Sequence, residues 1–269
     1  MKMLRLHPYL VVGGALVLFI AVLAIFAPIL STYEATAIRP RDRLQAPSRT
    51  HIMGTDEFGR DVFTRVLYGA RSSLRIGFAV VILTVVSGIS VGLLSGFYPG
   101  IDRVIMRVLD GWMAFPEIIL AVTLAAIWGS GQSVLIFAIS FAYFPRMARI
   151  VRSIVINVKQ LGFIEAARAT GAKDVHILLR HILPNCIPSI IVQATFSFAA
   201  AILAEAALSF LGVGIQAPMP SLGGMVSDAR NYLPIAPWIG LYPGFFIVLS
   251  VLGLNLLGDG LRDLLDPQV

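Results

Sequence analysis

Residues that could perform enzyme chemistry are few in this chain, and their spacing is poor. It has four histidines and one cysteine, Cys186. His176 and His181 are five residues apart, so on an α-helix their side chains point about 140° apart, too far to share a metal ion. None of the patterns G-x-x-x-x-G-K-[ST], G-x-S-x-G or H-E-x-x-H occurs. We therefore expect no catalytic residue, no metal site, and no cofactor bound by this chain alone.

Two carboxylates remain as candidates, because Glu117 and Glu205 fall inside apolar stretches. An ionisable residue at membrane depth is costly and marks a functional hypothesis by default. Glu117 directly follows Pro116, where a helix is expected to break. A proton or cation relay needs a partner in another span, and no intramembrane Lys, Arg or His is evident. We treat both as candidate translocation-pathway residues; the alternatives are an interfacial carboxylate or a hydrogen bond within the bundle.

The elements that must position these residues are mainly apolar. The 269 residues are 57% hydrophobic and 13% charged, with mean hydropathy +0.84, whereas about 25% charged residues is usual in soluble proteins. The net charge of +6 comes from residues scattered beside apolar runs, which favours membrane flanking over nucleic-acid binding. An all-α, polytopic membrane protein is predicted, in contact with the lipid bilayer. Six runs are long enough to span it: Tyr9–Leu30, Ile76–Tyr98, Val104–Trp128, Val134–Ile156, Ile187–Leu211 and Ile239–Leu257.

The distribution of basic residues favours a cytoplasmic N-terminus. In that orientation twelve of the 21 basic residues lie inside and nine outside, and all three lysines, Lys2, Lys159 and Lys173, lie inside. The bias is weak. The first run is longer than the apolar region of a signal peptide, so it is interpreted as an uncleaved span.

Two further segments predict packing rather than chemistry. Gly88, Gly92, Gly96 and Gly100 repeat every four residues, a spacing that lets another helix approach closely. That helix could belong to this chain or to a second membrane subunit. From Asp61 to Ala70 the apolar residues share one stripe, which predicts a helix in the outer membrane interface or a packed surface element.

A charged segment, "EAARATGAKDVHILLRHILPN" (Glu165–Asn185), interrupts the apolar runs. Its first arm ends at Gly171, a natural helix C′ residue, and Asp174 is a plausible N-cap for the second. In the second arm Val175, Leu178, Leu179 and Ile182 form an amphipathic stripe. The arms are too short and too polar to span. The segment therefore predicts a helical hairpin that meets a soluble partner by inserting a helix into a groove.

The charged segment contains E-A-A, then three residues, a glycine, and about a dozen residues that end in L-P. This pattern resembles the signature loop of ABC importer permeases. Further stretches are similar to the C-type permease subunit of dipeptide, oligopeptide and nickel importers. They are "GTDEFGRD", "LYGARSSL", "DRVIMRVLDGWMAFPEIILAV", "RHILPN", "EAALSFLGVGIQAP" and "NLLGDGLRDLLDP". One position departs, since the family usually has isoleucine where this chain has His181.

The resemblance implies a type I importer permease fold: six transmembrane helices, with a cytoplasmic coupling hairpin between helices 4 and 5. It implies an N-terminal region, 1–75, and a five-helix core, 76–269, that contains the coupling loop at about 157–185. Implied partners are a homologous second permease, two cytoplasmic ATPases that bind ATP and Mg, and an external solute-binding protein, at a bacterial or archaeal inner membrane. The residues implied to couple to an ATPase are Glu165, Ala166, Ala167, Arg168, Gly171, Leu183 and Pro184.

Two rival functions are weaker. A self-sufficient channel or proton-coupled carrier could use Glu117 and Glu205, but it leaves the hairpin without a role. An intramembrane enzyme would need a paired nucleophile and base. The resemblance leaves the solute open among peptides, nickel complexes, glutathione-like compounds and opine-like conjugates.

Overall fold

Helices make up almost all regular structure in the described part of the chain. The computed structural model describes residues 8–129 and 131–265, so Lys2 lies outside it. Within those ranges no β-strand occurs, only one isolated bridge between Thr55 and Asp61. The helices are α1 (Pro8–Ile25), α2 (Ala27–Leu30), α3 (Val62–Phe97), α4 (Pro99–Met113), α5 (Glu117–Trp128), α6 (Gln132–Val158), α7 (Gly162–Ala169), α8 (Asp174–His176), α9 (Leu183–Phe210), α10 (Leu222–Ala229) and α11 (Trp238–Leu265).

Five helical stretches are long and apolar enough to cross a membrane: α1, α3, α6, the continuous stretch Asp174–Phe210, and α11. The predicted third span is broken, because α4 and α5 meet at an angle of 88°. Pro116 lies at this break, where it provides no N–H for a continuing helix. The bent pair brings the number of spans to six if it is counted as one. The prediction of an all-helical membrane fold is confirmed.

The predicted interfacial helix at 61–70 is wrong as a separate element. Those residues form the first turns of α3, a helix of 36 residues and about 54 Å. Asp61 caps it by accepting a hydrogen bond from the Thr64 N–H at 2.8 Å. Val62 and Val66 are fully buried in a cluster with residues of α10 and α11. The apolar stripe therefore packs on protein, and α3 runs unbroken past the predicted boundary at residue 75.

The glycine repeat packs α3 against α6 of the same chain. A β-carbon at Gly92 would lie 2.6 Å from the Ala148 carbonyl oxygen, and one at Gly96 would lie 2.6 Å from Val155 Cβ. A β-carbon at Gly88 would overlap the Met147 side chain. Gly100 does not belong to this contact: α3 ends at Phe97, and none of the described atoms lies within 4 Å of a β-carbon at Gly100.

One end of the bundle carries the hairpin. Residues of α3, α6, α7 and α9 enclose a core beneath it. The start of α1 and the end of α11 lie together, since a β-carbon at Gly260 would touch Leu10. Arg262 and Pro184 line a single cavity of about 700 Å³. The N-terminal end of α1, the C-terminal end of α11 and the hairpin therefore share one end of the molecule.

Candidate coupling hairpin and polar groups of the membrane region

The turn of the hairpin is built on Gly171, whose φ of +81° is a conformation that favours glycine. The Gly171 N–H donates to the Arg168 carbonyl at 2.9 Å, and the Ala172 N–H donates to the Ala167 carbonyl at 3.0 Å. These two bonds form a Schellman motif, which satisfies the last carbonyls of α7. The sequence "ATGA" thus ends the first arm as predicted.

The second arm is continuous with α9, because six residues of π-helix, Ile177–Ile182, join α8 to it. Pro184 lies two residues past this π-helix, where it provides no N–H for the preceding turn of the continuous helix. Bonds in a π-helix join residues five apart, so residues five apart lie close together. The His176 and His181 ring centroids are 5.6 Å apart, which corrects the predicted 140° separation. Even so, no group of three metal-ligating side chains occurs within residues 8–129 and 131–265.

The same wide turn divides the predicted apolar stripe in two. Ile182 is fully buried and Leu178 is 8% exposed, whereas Val175 is 64% and Leu179 57% exposed. On an α-helix all four would share a face. The first pair packs the hairpin onto the bundle, and the second is left open on its outer surface. A shallow groove of about 470 Å³ lies there, lined by Lys173, Val175, His176, Leu179 and Arg180.

Polar contacts tie the hairpin to the end of α3, and the end of α3 to the end of α6. The Tyr98 hydroxyl, just after α3, donates to Asp174 Oδ2 at 3.1 Å. Lys159 Nζ, just after α6, donates to the Gly96 carbonyl at 2.7 Å. The Arg168 guanidinium lies 5.6 Å from the centre of the Phe97 ring, a cation–π distance. The hairpin is therefore fixed on the end of α3, which is itself bonded to the end of α6.

The predicted coupling residues lie mostly on the open surface of this hairpin. Five of them are exposed and two, which contact the core beneath, are half-buried. The exposed residues are Glu165, Ala166, Arg168, Gly171 and Pro184; the half-buried ones are Ala167 and Leu183.

Glu117 begins α5 immediately after the break, and it has an ionic partner that we did not expect. Arg146 Nη2 on α6 lies 2.9 Å from Glu117 Oε1. The expectation of no basic residue in the membrane region is therefore wrong. The signal was present in "FPRMARIVRS", where arginines recur every third residue inside an apolar helix. The Glu117 side chain is 25% and the Arg146 side chain 53% exposed, so the pair lies on an open face of this chain.

Glu205 has the opposite environment, because it is fully buried between α3 and α9. Its Oε2 accepts from the Ser73 hydroxyl of α3 at 2.7 Å, and its Oε1 accepts from the Ser209 hydroxyl at 2.9 Å. Both oxygens thus accept a hydrogen bond inside the protein, which lowers the cost of burial. This geometry links two helices and leaves Glu205 without an exposed surface, so it fits the alternative of a hydrogen-bonded carboxylate within the bundle.

A second buried charge cluster precedes α3 at the end opposite the hairpin. Arg60 Nε donates to Asp56 Oδ2 at 2.6 Å, and His51 Nδ1 lies 2.9 Å from Asp61 Oδ1. Burial raises the pKa of Glu57 and of Asp228 because it disfavours the charged carboxylate. These contacts fold the segment "MGTDEFGRD" onto α3 as a structural cap.

One solved structure with a similar fold is that of a methionine ABC transporter. The chain aligns with the structure "Inward facing conformations of the MetNI methionine ABC transporter" at a TM-score of 0.61 and 22% identity, over 75% of this chain and 96% of that one. This likeness concerns the fold, and it confirms the predicted importer-permease architecture.

Sequence relatives are far more similar. The chain is 47% identical to the dipeptide transport system permease protein DppC of Alkalihalophilus pseudofirmus, over 100% of this chain and 88% of that protein. It is 44% identical to the glutathione transport system permease protein GsiD of Pectobacterium atrosepticum, over 100% and 89%. Residues 1–47 match the N-terminal TM domain of oligopeptide transport permease C, and residues 73–269 match the binding-protein-dependent transport system inner membrane component. The chain is therefore a multi-pass membrane protein that belongs to the family of binding-protein-dependent transport permeases.

Proposed function

We propose that this chain is one of two membrane subunits of an ATP-driven importer that receives peptides or a related small solute from an external binding protein. Family membership and the names of the relatives support the reaction class and the solute class. One observation carries the coupling role: the hairpin is firmly packed at its base yet leaves Val175 and Leu179 exposed beside basic residues. Such a surface fits the groove of a soluble partner, as amphipathic helices do.

The soluble partner in this proposal is a cytoplasmic ATPase. Two ATPase copies bind ATP and Mg, and their closure draws the hairpins of the two permeases together. Because the second arm is continuous with α9, a displacement of the hairpin is passed directly to a membrane helix. The bundle then changes from an inward-facing to an outward-facing state, an equilibrium that nucleotide shifts only by binding the two states differently.

The coupling proposal also fixes the orientation. A cytoplasmic ATPase requires the hairpin end of the bundle to be cytoplasmic, which places the start of α1 there too. The segment between α1 and α3 then faces the outside, where a binding protein delivers solute. This orientation agrees with the inside position of all three lysines and with location in the inner membrane of a bacterium or archaeon. Each permease contributes half of the pathway, and Glu117 is the residue of this chain proposed for that surface.

Replacement of Gly171 by valine tests the coupling role. A residue with a β-carbon costs about 1–2 kcal/mol in the left-handed conformation, and a β-branched one is more restricted still. No atom of the described residues lies within 4 Å of a β-carbon there, so the effect is on the turn and not on packing. In vesicles containing all subunits, we expect Gly171→Val to retain insertion and ATP hydrolysis and to lose uptake.

Gly171→Asn is the matched control, because asparagine tolerates positive φ, and we expect it to transport. Normal uptake by Gly171→Val would contradict the coupling assignment. Solute transport by this chain in vesicles without any ATPase would instead support a channel or proton-coupled carrier.

A further inference from the structure

Three arginines of α6 form a ladder of ion pairs with the bent pair α4–α5. Arg149 Nη2 lies 2.6 Å from Asp110 Oδ1, and Arg152 binds Asp102 through both of its carboxylate oxygens, one bond measuring 2.7 Å. The Glu117–Arg146 pair is the rung farthest from the hairpin. We call these three pairs the arginine ladder. Every carboxylate of the ladder comes from the broken span, and every guanidinium comes from one face of α6.

The rung farthest from the hairpin lies deep in the membrane region. Glu117 is eleven residues from the end of α5 at Trp128, and Arg146 is fourteen residues from the start of α6 at Gln132. At 1.5 Å per residue these separations are about 16 and 21 Å. A hydrocarbon core is about 30 Å thick, so both distances, measured from these helix ends, place the pair within it.

Charges at this depth face protein or water, because hydrocarbon offers them no hydrogen-bond partner. Within this chain the ladder has an open side: Asp110 is 63% exposed at its side chain, and Arg149 is 47% exposed. The open side therefore faces a polar surface or a water-filled space, such as a pathway shared with a second permease.

A cavity of about 280 Å³ lies at the Glu117–Arg146 pair. Its wall combines the two opposite charges with apolar surface from Phe115 and Leu120. Trp112 also lines it, and the indole Nε1 of Trp112 is buried without a hydrogen-bond partner in the described residues. The cavity thus offers one cation, one anion and an aromatic wall.

We propose that this cavity is a solute subsite of the translocation pathway, and that it takes zwitterions carrying a free ammonium and a free carboxylate. The solute carboxylate binds Arg146 and its ammonium binds Glu117, so the solute replaces the internal ion pair without leaving a buried charge unpaired. The apolar part of the solute packs on Trp112 and Phe115. The inference rests on the proposed function, since it assumes that this chain carries a solute.

The test uses thiol accessibility in the complete importer, reconstituted in lipid vesicles in a Cys186→Ser background. Phe115→Cys places a reporter on the cavity wall and leaves both charges in place. Val248→Cys is the matched control, because Val248 and Phe115 are both 60% exposed in this chain, but Val248 lies on the apolar helix α11. We expect a charged methanethiosulfonate to modify Phe115→Cys about tenfold or more faster, since charged reagents are excluded from hydrocarbon.

Protection by solute then tests the ligand class. During turnover with the binding protein and ATP, alanyl-alanine should slow modification of Phe115→Cys several-fold, and N-acetyl-alanyl-alanine amide should not. Adding Arg146→Gln should abolish this protection. The double exchange Glu117→Arg with Arg146→Glu preserves an ion pair and should restore it, which separates a charge effect from a failure to fold.

Each remaining outcome counts against the subsite. Equal modification of Phe115→Cys and Val248→Cys would place this face in lipid or in a dry interface. Fast modification without protection would place it in water but away from the solute. If the wild-type vesicles take up alanyl-alanine when ATP is supplied, either result overturns the subsite and leaves the proposed function standing. Failure of that uptake would count against the proposed function itself.

Discussion

At the scale of single residues, Glu117 and Glu205 show how one sequence signal can have two physical meanings. Both are carboxylates in apolar stretches, but one shares an open face with Arg146 and the other is enclosed by two serines. The sequence could not distinguish them, because Arg146 is 29 residues from Glu117 and Ser73 is 132 residues from Glu205. A buried carboxylate is tolerated only once such partners are folded around it.

We expect Glu205→Ala to destabilise the protein by about 2–4 kcal/mol. The change leaves the Ser73 and Ser209 hydroxyls without their acceptor, at about 1–3 kcal/mol for an unpaired buried group, and opens a cavity. The measurement is thermal unfolding of the purified chain in nanodiscs. Glu205→Gln keeps the volume and one acceptor oxygen, and should lose much less.

Glu165→Ala on the exposed hairpin surface is the matched control for truncating a glutamate, and we expect no change in unfolding. Equal losses for Glu205→Ala and Glu165→Ala would contradict the assignment of Glu205 as a link between α3 and α9.

At the scale of elements, the sequence predicted the apolar spans but missed how they continue into their neighbours. Hydropathy detects the part of α3 that crosses lipid, whereas its polar outer turns are held by the Asp61 cap and by packing on α10 and α11. The π-helical turn was equally invisible, since an apolar pattern of spacing four suits both α- and π-geometry locally. Gly171 could be predicted because its turn depends on local backbone conformation alone.

The α3–α6 contact should be the least tolerant of added volume. Gly92→Leu introduces a β-carbon 2.6 Å from the Ala148 carbonyl oxygen, so two backbones must separate, and overpacking of this kind costs about 1–3 kcal/mol or more. We expect a lower yield of inserted protein and a lower melting temperature in nanodiscs.

Gly100→Leu is the matched control, because it makes the same chemical change at the last glycine of the repeat, in α4 and beyond the end of α3. A β-carbon at Gly100 meets no described atom within 4 Å, so this variant should behave like the wild type. Equal instability of the two variants would show that the α3–α6 crossing is not what limits side-chain volume.

At the scale of the whole molecule, the described residues form a bundle with two unlike ends. One end carries the hairpin together with the start of α1 and the end of α11. The other carries the folded segment before α3, with its buried cluster of charges. Solute delivery and energy coupling are separate tasks, and in the proposed mechanism they take place at these opposite ends. Neither end could be assigned from charge counting alone, because basic residues are nearly balanced between them.

The orientation can be measured with two alanine-to-cysteine changes in a Cys186→Ser background. Ala46 and Ala169 are both exposed, the first in the segment before α3 and the second at the end of α7. In intact cells, a membrane-impermeant maleimide should label Ala46→Cys and leave Ala169→Cys unlabelled, and permeabilisation should expose the second site. Because the hairpin is the proposed ATPase contact, its cytoplasmic location is a requirement of the mechanism. Labelling of Ala169→Cys from outside intact cells would therefore contradict both the orientation and the coupling role.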